Sequence, residues 1–280
     1  MTDDTLPPFY FFIHIPKTAG TTLRSIVDLQ TGRKNVLTYY NQPNRSLLDN
    51  LEALISTNSH YQALIGHFQF GVHEKITRDP HYFTFLRDPV ELTISAYHER
   101  LKTTPGEFEK PDGSIMSIME HIDANLYDYT NLQTKIVAGV PEKNAVTEED
   151  LALAKKNIEK YYKFVGISEM FDQSILMLSK ILGWRPCVYG TLNKGPANKD
   201  IEDHIRDSIT KITPLDMELY DFARARLERS INETRDIFDL ALAELTSTEV
   251  TPNQQAEFID LSAVEEFIKT NASLILDTQI

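Results

Sequence analysis

The sequence predicts an α/β protein: a mostly parallel sheet flanked by helices, followed by a helix-rich C-terminal part. Three observations predict it. Short runs rich in aromatic and β-branched residues, at 9–15, 61–65, 82–86 and 163–167, alternate with longer stretches of helical periodicity. Three of the four runs are followed closely by a charged or titratable group, Lys17, His67 and Arg87. These groups fall at the carboxyl edge, where ligands bind to parallel sheets. From about residue 200 onward the strand patterns give way to helical ones.

Taken in order, the first strand carries Phe9, Tyr10, Phe11, Phe12 and Ile13, an unbroken apolar run suited to burial on both faces. A helix over 20–30 places Leu23, Ile26 and Val27 on one face and is stopped by Gly32. Residues 31–45 are polar and receive no element. Ser46 starts a helix, with Asp49 completing a variant capping box and Leu47, Leu48, Leu51, Leu54 and Ile55 forming its apolar stripe. The strand at 61–65 ends in Gly66-His67. The strand at 82–86 ends in Arg87-Asp88-Pro89, and Pro89 suits the first turn of a helix over 90–102.

Two prolines and two glycines make 103–113 a loop, with a helix expected at 115–122. Thr147 and Asp150 cap a helix bearing Leu151, Ala154, Ile158 and Tyr161. Residues 171–182 form an amphipathic helix stopped by Gly183, and 189–199 form a loop. Helices follow at 200–212 and 214–243. A linker spans 246–255, and the tail carries a last apolar stripe at Phe258, Leu261, Val264 and Phe267.

The 280 residues, 41% of them hydrophobic, suffice for one large α/β domain or two small ones. No run of about 18 uncharged apolar residues is present to cross a membrane. The acidic start, MTDDTLPP, lacks the pattern of a secretory signal. A single cysteine, Cys187, excludes an internal disulfide and a cysteine zinc cluster and fits a reducing compartment, so a cytoplasmic location is expected. The net charge of −13 argues against sequence-independent nucleic-acid binding. It argues mildly against a highly sulfated or carboxylated polymer as ligand, although any anion site must be locally positive.

The chemistry concentrates at Lys17-Thr18-Ala19-Gly20-Thr21-Thr22, between the first strand and the first helix. The first N–H groups of a helix have no internal partner, and the helix dipole adds positive potential there. Lys17 adds a full charge and the threonines add hydroxyl donors. The segment reads as a cradle for a phosphate or phosphosulfate group. The strand–loop–helix order makes the sheet P-loop-like. The common nucleotide-triphosphate loop, however, sets its lysine after the last glycine, whereas Lys17 precedes Gly20. Arg87 leaves a strand end, and Ser95 lies about two turns into the following helix, a guanidinium and a hydroxyl suited to a terminal phosphate.

Three segments, HIPKTAGTTL (14–23), GHFQFGVHE (66–74) and FTFLRDPVE (83–91), resemble the carbohydrate-type sulfotransferases that use 3′-phosphoadenosine 5′-phosphosulfate (PAPS), the family that includes the heparan sulfate 2-O and 6-O enzymes and many bacterial members. NLQTKIVAG (131–139), FVGISEMFDQSILML (164–178) and LNKG (192–195) extend the similarity, which runs in order from about Phe9 to about Leu245. The family pattern often reads RDPVER; Leu92 stands where its second arginine would be, so that arginine is not implied here.

The resemblance implies a PAPS-dependent sulfotransferase domain over 1–245, with 246–280 as linker and helical tail. It implies that residues 17–22 hold the 5′-phosphosulfate, that Arg87 and Ser95 hold the 3′-phosphate, and that Asn193, Lys194 and Gly195 close over the nucleotide. His67 resembles the family's general base, and Lys17 would stabilise the leaving group. His73, His14, Glu74 and Glu91 are the alternatives to His67. Gln69, Gln133 and Thr134 are expected on the acceptor side, and Trp184 in the core. The implied acceptor is a small molecule or glycan, and no metal is required. Two other readings stay open: a small-molecule kinase, with Asp88 as its magnesium-holding candidate, and a nucleotide-binding module without turnover.

Overall fold

A computed structural model describes residues 6–40, 46–124, 130–141, 144–190, 201–251 and 254–270. The chain opens with β1 (Phe9–Ile13) and α1 (Gly20–Thr31), then β2 (Val36–Tyr39), the short helices α2 (Ser46–Asp49) and α3 (Leu51–Thr57), and β3 (Ala63–Gly66). It continues through β4 (Pro80–Leu86), α4 (Pro89–Thr103), α5 (Ile118–Asp123), α6 (Leu132–Ala138), α7 (Glu148–Lys160), β5 (Tyr162–Ile167) and α8 (Phe171–Leu182). The C-terminal part comprises β6 (Cys187–Val188), α9 (Asp203–Ile212), α10 (Pro214–Asn232), α11 (Arg235–Ser247), β7 (Glu257–Phe258) and α12 (Ser262–Lys269).

β1 is the middle strand of a five-stranded sheet in the order β2-β3-β1-β4-β5, every pair of which is parallel. That position explains its composition, since a strand covered by helices on both faces has no side that water can solvate. Phe9, Phe11, Phe12 and Ile13 are all buried. Phe11 stacks on Tyr82 and Phe12 on Phe83, with ring centroids 4.7 and 4.9 Å apart. The registers Ile13↔Gly66 and Ile13↔Thr84 bring the carboxyl ends of β3, β1 and β4 level. Lys17, His67 and Arg87 therefore leave one edge of the sheet from three adjacent strands.

A second, smaller apolar cluster joins Val90, Ile94, Tyr97, Phe108, Ile118 and Ile209 beside α4. The expected loop at 103–113 is partly ordered, with a single helical turn at Pro105–Phe108 and a bridge between Glu109 and Ile115. Trp184 is half-buried against the main core and stacks on Phe12, as expected of a core residue.

Several expectations need correction. Residues left without an element contain β2, an edge strand. The helix expected from 214 to 243 is two helices, α10 and α11, broken at Glu233-Thr234, where local hydrogen bonds turn the chain. α11 runs on to Ser247, two residues into the expected linker, and beyond the linker β7 pairs antiparallel with β6. The tail then folds onto the sheet domain. Ala256 N–H donates to Ser25 Oγ of α1 at 2.8 Å, and Leu261, Val264, Phe267 and Ile268 join the main core. The buried Lys180 of α8 donates to the carbonyls of Phe267 and Thr270, closing the end of α12. No helix among the described residues is long and apolar enough to cross a membrane.

Candidate active site

The loop between β1 and α1 is tightly wound. The hydroxyl of Thr18 donates back to the carbonyl of Ile15 at 2.7 Å. Lys17 and Ala19 adopt left-handed backbone angles, φ 70° and 61°. Gly20 begins α1 against the imidazole of His14: a Cβ there would fall 1.9 Å from ring atoms, so the close approach requires glycine. No side chain caps α1 and its first turn carries no acidic residue, so the helix sets no negative group of its own against its dipole at the loop. Thr18, Gly20 and Thr22 are buried, while Ala19 and Thr21 face outward. Lys17 Nζ lies 3.4 Å from Glu99 Oε2 of α4. Ser95 is one turn before Glu99 on the same face of α4.

Arg87 stands immediately after β4. Its Nη1 donates to the carbonyl of Lys17 at 3.0 Å, tying the two cationic residues into one unit. Its Nε lies 3.7 Å from Glu169 Oε1. Glu169 also accepts from Tyr220 Oη at 3.1 Å, and burial raises its pKa. Asp88 accepts from the N–H groups of Val90 and Glu91 at 2.9 and 3.0 Å and so caps α4. A carboxylate held in that cap is occupied, which weighs against the magnesium role that the kinase reading needs. Among the described residues no group of three or more His, Cys, Asp or Glu side chains is arranged to hold a metal ion.

His67 follows β3. Gly66 lies hard against β2, where a Cβ would sit 2.0 Å from the carbonyl oxygen of Tyr39. That approach lets His67 N–H donate to the same carbonyl at 2.8 Å. The His67 ring is wedged between His14 and Tyr40, with both centroid distances 4.8 Å, and its outer edge is exposed. The surrounding rings desolvate it enough to lower its pKa, so it is a free base at neutral pH. His14 Nδ1 and Tyr40 Oη are 3.2 Å apart. Burial, reinforced by the nearby His67, Arg24 and Lys17, takes His14 down to about 3. Burial pushes Tyr40 up to about 12. The arrangement sets the N-terminus of α1, a guanidinium and a neutral imidazole beyond the ends of three adjacent strands.

The alternative bases lie elsewhere or are engaged. His73 is hydrogen-bonded to Tyr82 Oη at 3.0 Å. Tyr82 is five residues before Arg87, roughly 16 Å back along its strand at 3.3 Å per residue. Glu74 is exposed in the same turn as His73. Glu91 pairs with Arg206 of α9 at 2.8 Å. His14 belongs to the site but lies just past β1 rather than within it.

Gln69 is half-buried two residues beyond His67. Gln133 and Thr134, expected on the acceptor side, are instead fully buried: the amide of Gln133 holds the main chain of Arg87, and Thr134 holds Asp216. Asn193, Lys194 and Gly195 lie outside the described residues.

Among known protein families, the galactose-3-O-sulfotransferase family matches residues 9–244. The chain belongs to that family. No curated protein sequence matches it. Among solved structures, the crystal structure of a sulfotransferase from Alicyclobacillus acidocaldarius is similar, at 11% identity and a TM-score of 0.43, covering 82% of this chain and 99% of that one. The chain is thus a sulfotransferase, an enzyme of sulfuryl transfer. The match supports the sulfotransferase expected from the motifs at the level of activity, without singling out the heparan sulfate 2-O and 6-O subtype that they resemble.

In this galactose-3-O-sulfotransferase family member, sequence reasoning missed Tyr40, Glu99, Glu169 and Asp216. Tyr40 follows a legible strand signal, Val36-Leu37-Thr38-Tyr39, that could have been read. The three carboxylates had no local signal, because each meets its partner across more than 80 residues of sequence.

Proposed function

We propose that this sulfotransferase moves the sulfuryl group of PAPS to a hydroxyl of a glycan or small carbohydrate, with His67 as general base. The observation that carries the reading is the meeting of three strand ends: Lys17, Arg87 and His67 leave β1, β4 and β3 side by side, and Arg87 is bonded to Lys17 itself. A donor with anions at both ends matches two cationic groups joined in this way, and the imidazole next to them matches an acceptor proton. In this reading Lys17, Thr18, Ala19, Gly20, Thr21 and Thr22 hold the 5′-phosphosulfate. Arg87 and Ser95 hold the 3′-phosphate, and Asn193, Lys194 and Gly195 are assigned to the nucleotide from the family motif.

The acceptor oxygen forms a new bond to sulfur while the bond from sulfur to the 5′-phosphate oxygen breaks, and the acceptor proton passes to His67. Negative charge gathers on the leaving phosphate oxygen, where Lys17, the threonine hydroxyls and the first N–H groups of α1 would stabilise it. The family name makes the galactose 3-hydroxyl the first acceptor to try, ahead of heparan sulfate hydroxyls. The net charge of −13 also favours a neutral sugar over a polyanion.

The test is transfer of labelled sulfate from PAPS to galactosides and, in parallel, to desulfated heparan chains. Lys17→Ala and His67→Ala are each expected to lower turnover at least about a hundredfold. Near-normal turnover of the His67 variant would remove it from the mechanism. Because burial lowers the His67 pKa, the acid limb of kcat/KM is expected below pH 6.5, with activity holding as pH rises above it.

A further inference from the structure

Arg87 is the first residue beyond the hydrogen-bonded ladder of β4, where main-chain groups would ordinarily lose their partners. Gln133, in the first turn of α6 and fully buried, supplies both. Arg87 N–H donates to Gln133 Oε1 at 2.9 Å, and Gln133 Nε2 donates to the carbonyl of Arg87 at 2.7 Å. The carboxamide thus takes the place of a peptide unit on a neighbouring strand.

Gln133 is itself held from behind. Its N–H donates to Asp216 Oδ2 at 3.0 Å, while the N–H and hydroxyl of Thr134 each donate to Asp216 Oδ1 at 2.7 Å. Asn131 Oδ1 answers by accepting from the N–H groups of Leu215 and Asp216 at 2.9 and 3.1 Å. The first turns of α6 and α10 therefore cap each other, and Asp216 is almost wholly buried. This reciprocal cap holds the main chain from which the Gln133 side chain reaches Arg87.

We propose that Gln133, locked by Asp216, is a positioning residue that sets the enzyme's preference for a nucleotide bearing a 3′-phosphate. It touches no ligand; it fixes the peptide from which the Arg87 guanidinium projects. A fork that must meet a phosphate in two-point geometry loses much of its value when its base shifts by a fraction of an ångström. The inference rests on the reading of Arg87 as the 3′-phosphate holder.

The experiment compares the full chain with Gln133→Met, which keeps the volume and removes both hydrogen bonds. Dissociation constants are measured for adenosine 3′,5′-bisphosphate and for adenosine 5′-monophosphate. The wild-type protein is expected to favour the bisphosphate strongly. In Gln133→Met that preference is expected to fall at least tenfold, with the monophosphate constant changing less than about threefold, because Gln133 reaches the 5′ cradle at 17–22 indirectly, through the single hydrogen bond from Arg87 to the Lys17 carbonyl.

Equal weakening of both ligands, or an unchanged preference, would overturn the inference while leaving the reading of Arg87 standing. No preference in the wild-type protein would overturn that reading and the inference with it. Should Gln133→Met not fold, Thr134→Val removes one bond to Asp216 and is expected to lower the preference in the same direction by a smaller factor. An unaltered ratio there counts against the inference.

Discussion

Lys17 and Ala19 hold positive φ without being glycine, within three residues of each other and at the loop assigned to the donor. Such angles cost an ordinary residue about 1–2 kcal/mol each and persist where the surroundings impose them. Here the Thr18 hydroxyl bond to Ile15 and the contact between Gly20 and His14 impose them. Ala19→Gly is therefore expected to stabilise the fold by up to about 1 kcal/mol, a rise of roughly 2–4 °C in Tm for a chain of this size. A lower midpoint by calorimetry would contradict the strain argument.

His14 gives a pH dependence of definite sign. Its folded pKa of about 3 lies below the unfolded value near 6.5, so the unfolded chain binds the proton first as pH falls. Stability is fully present above pH 6.5 and is lost progressively toward pH 3, by up to about 3 kcal/mol at pH 4 from this group. Denaturant unfolding at pH 7.5 and pH 5 should show a smaller loss in His14→Gln than in the wild type, and equal losses would remove His14 as the source.

At the scale of elements, α4 and the turn before α8 each set a carboxylate against a cation of the candidate site. Glu99 faces Lys17, and Glu169 faces Arg87. A donor anion has to displace or share these partners. The Lys17–Glu99 pair is open to solvent at 3.4 Å, where such pairs are worth about 0–1 kcal/mol. Glu99→Gln is expected to tighten binding of adenosine 3′,5′-bisphosphate by no more than about fivefold, measured by titration calorimetry. Weaker binding would mean that Glu99 orients Lys17 rather than competing for it.

The elements were unequally legible. The Thr147–Asp150 capping box of α7, the Gly183 stop of α8 and Pro89 in the first turn of α4 lie where local chemistry predicts them. β2 carries a legible but short signal, the four residues Val36-Leu37-Thr38-Tyr39, set within the otherwise polar stretch 31–45. The break between α10 and α11 was overlooked because Asn232 to Thr234 contains neither glycine nor proline.

On the scale of the whole molecule, the stretch from Ala256 to Ile268 contributes to the sheet domain's core. Phe267 is fully buried, edge-on to Phe238 of α11 with centroids 5.5 Å apart, and the Lys180 Nζ lies 4.3 Å from its ring centroid. Phe267→Ala is expected to cost about 3–5 kcal/mol of stability, as for other large-to-small core changes. A loss below about 1 kcal/mol in denaturant unfolding would show the tail to be dispensable. The same tail pairs β7 with β6 and bonds Ala256 to Ser25 on α1, so its removal is expected to loosen the helix whose first turn is assigned to the donor.

The sequence by itself determined the alternation of strands and helices, the tight turn at Lys17 to Thr22 between the first strand and the first helix, and the three groups at strand ends. All of these follow from short-range causes: side-chain period, turn chemistry and helix capping act over a few residues and leave their mark in the local pattern. Only the tertiary structure decided that β3, β1 and β4 are neighbours, that His67 is set between His14 and Tyr40, and that Gln133 and Asp216 stand behind Arg87. Those contacts join residues 27 to 83 positions apart. They arise from the packing of whole elements around one core, which no local window of sequence records.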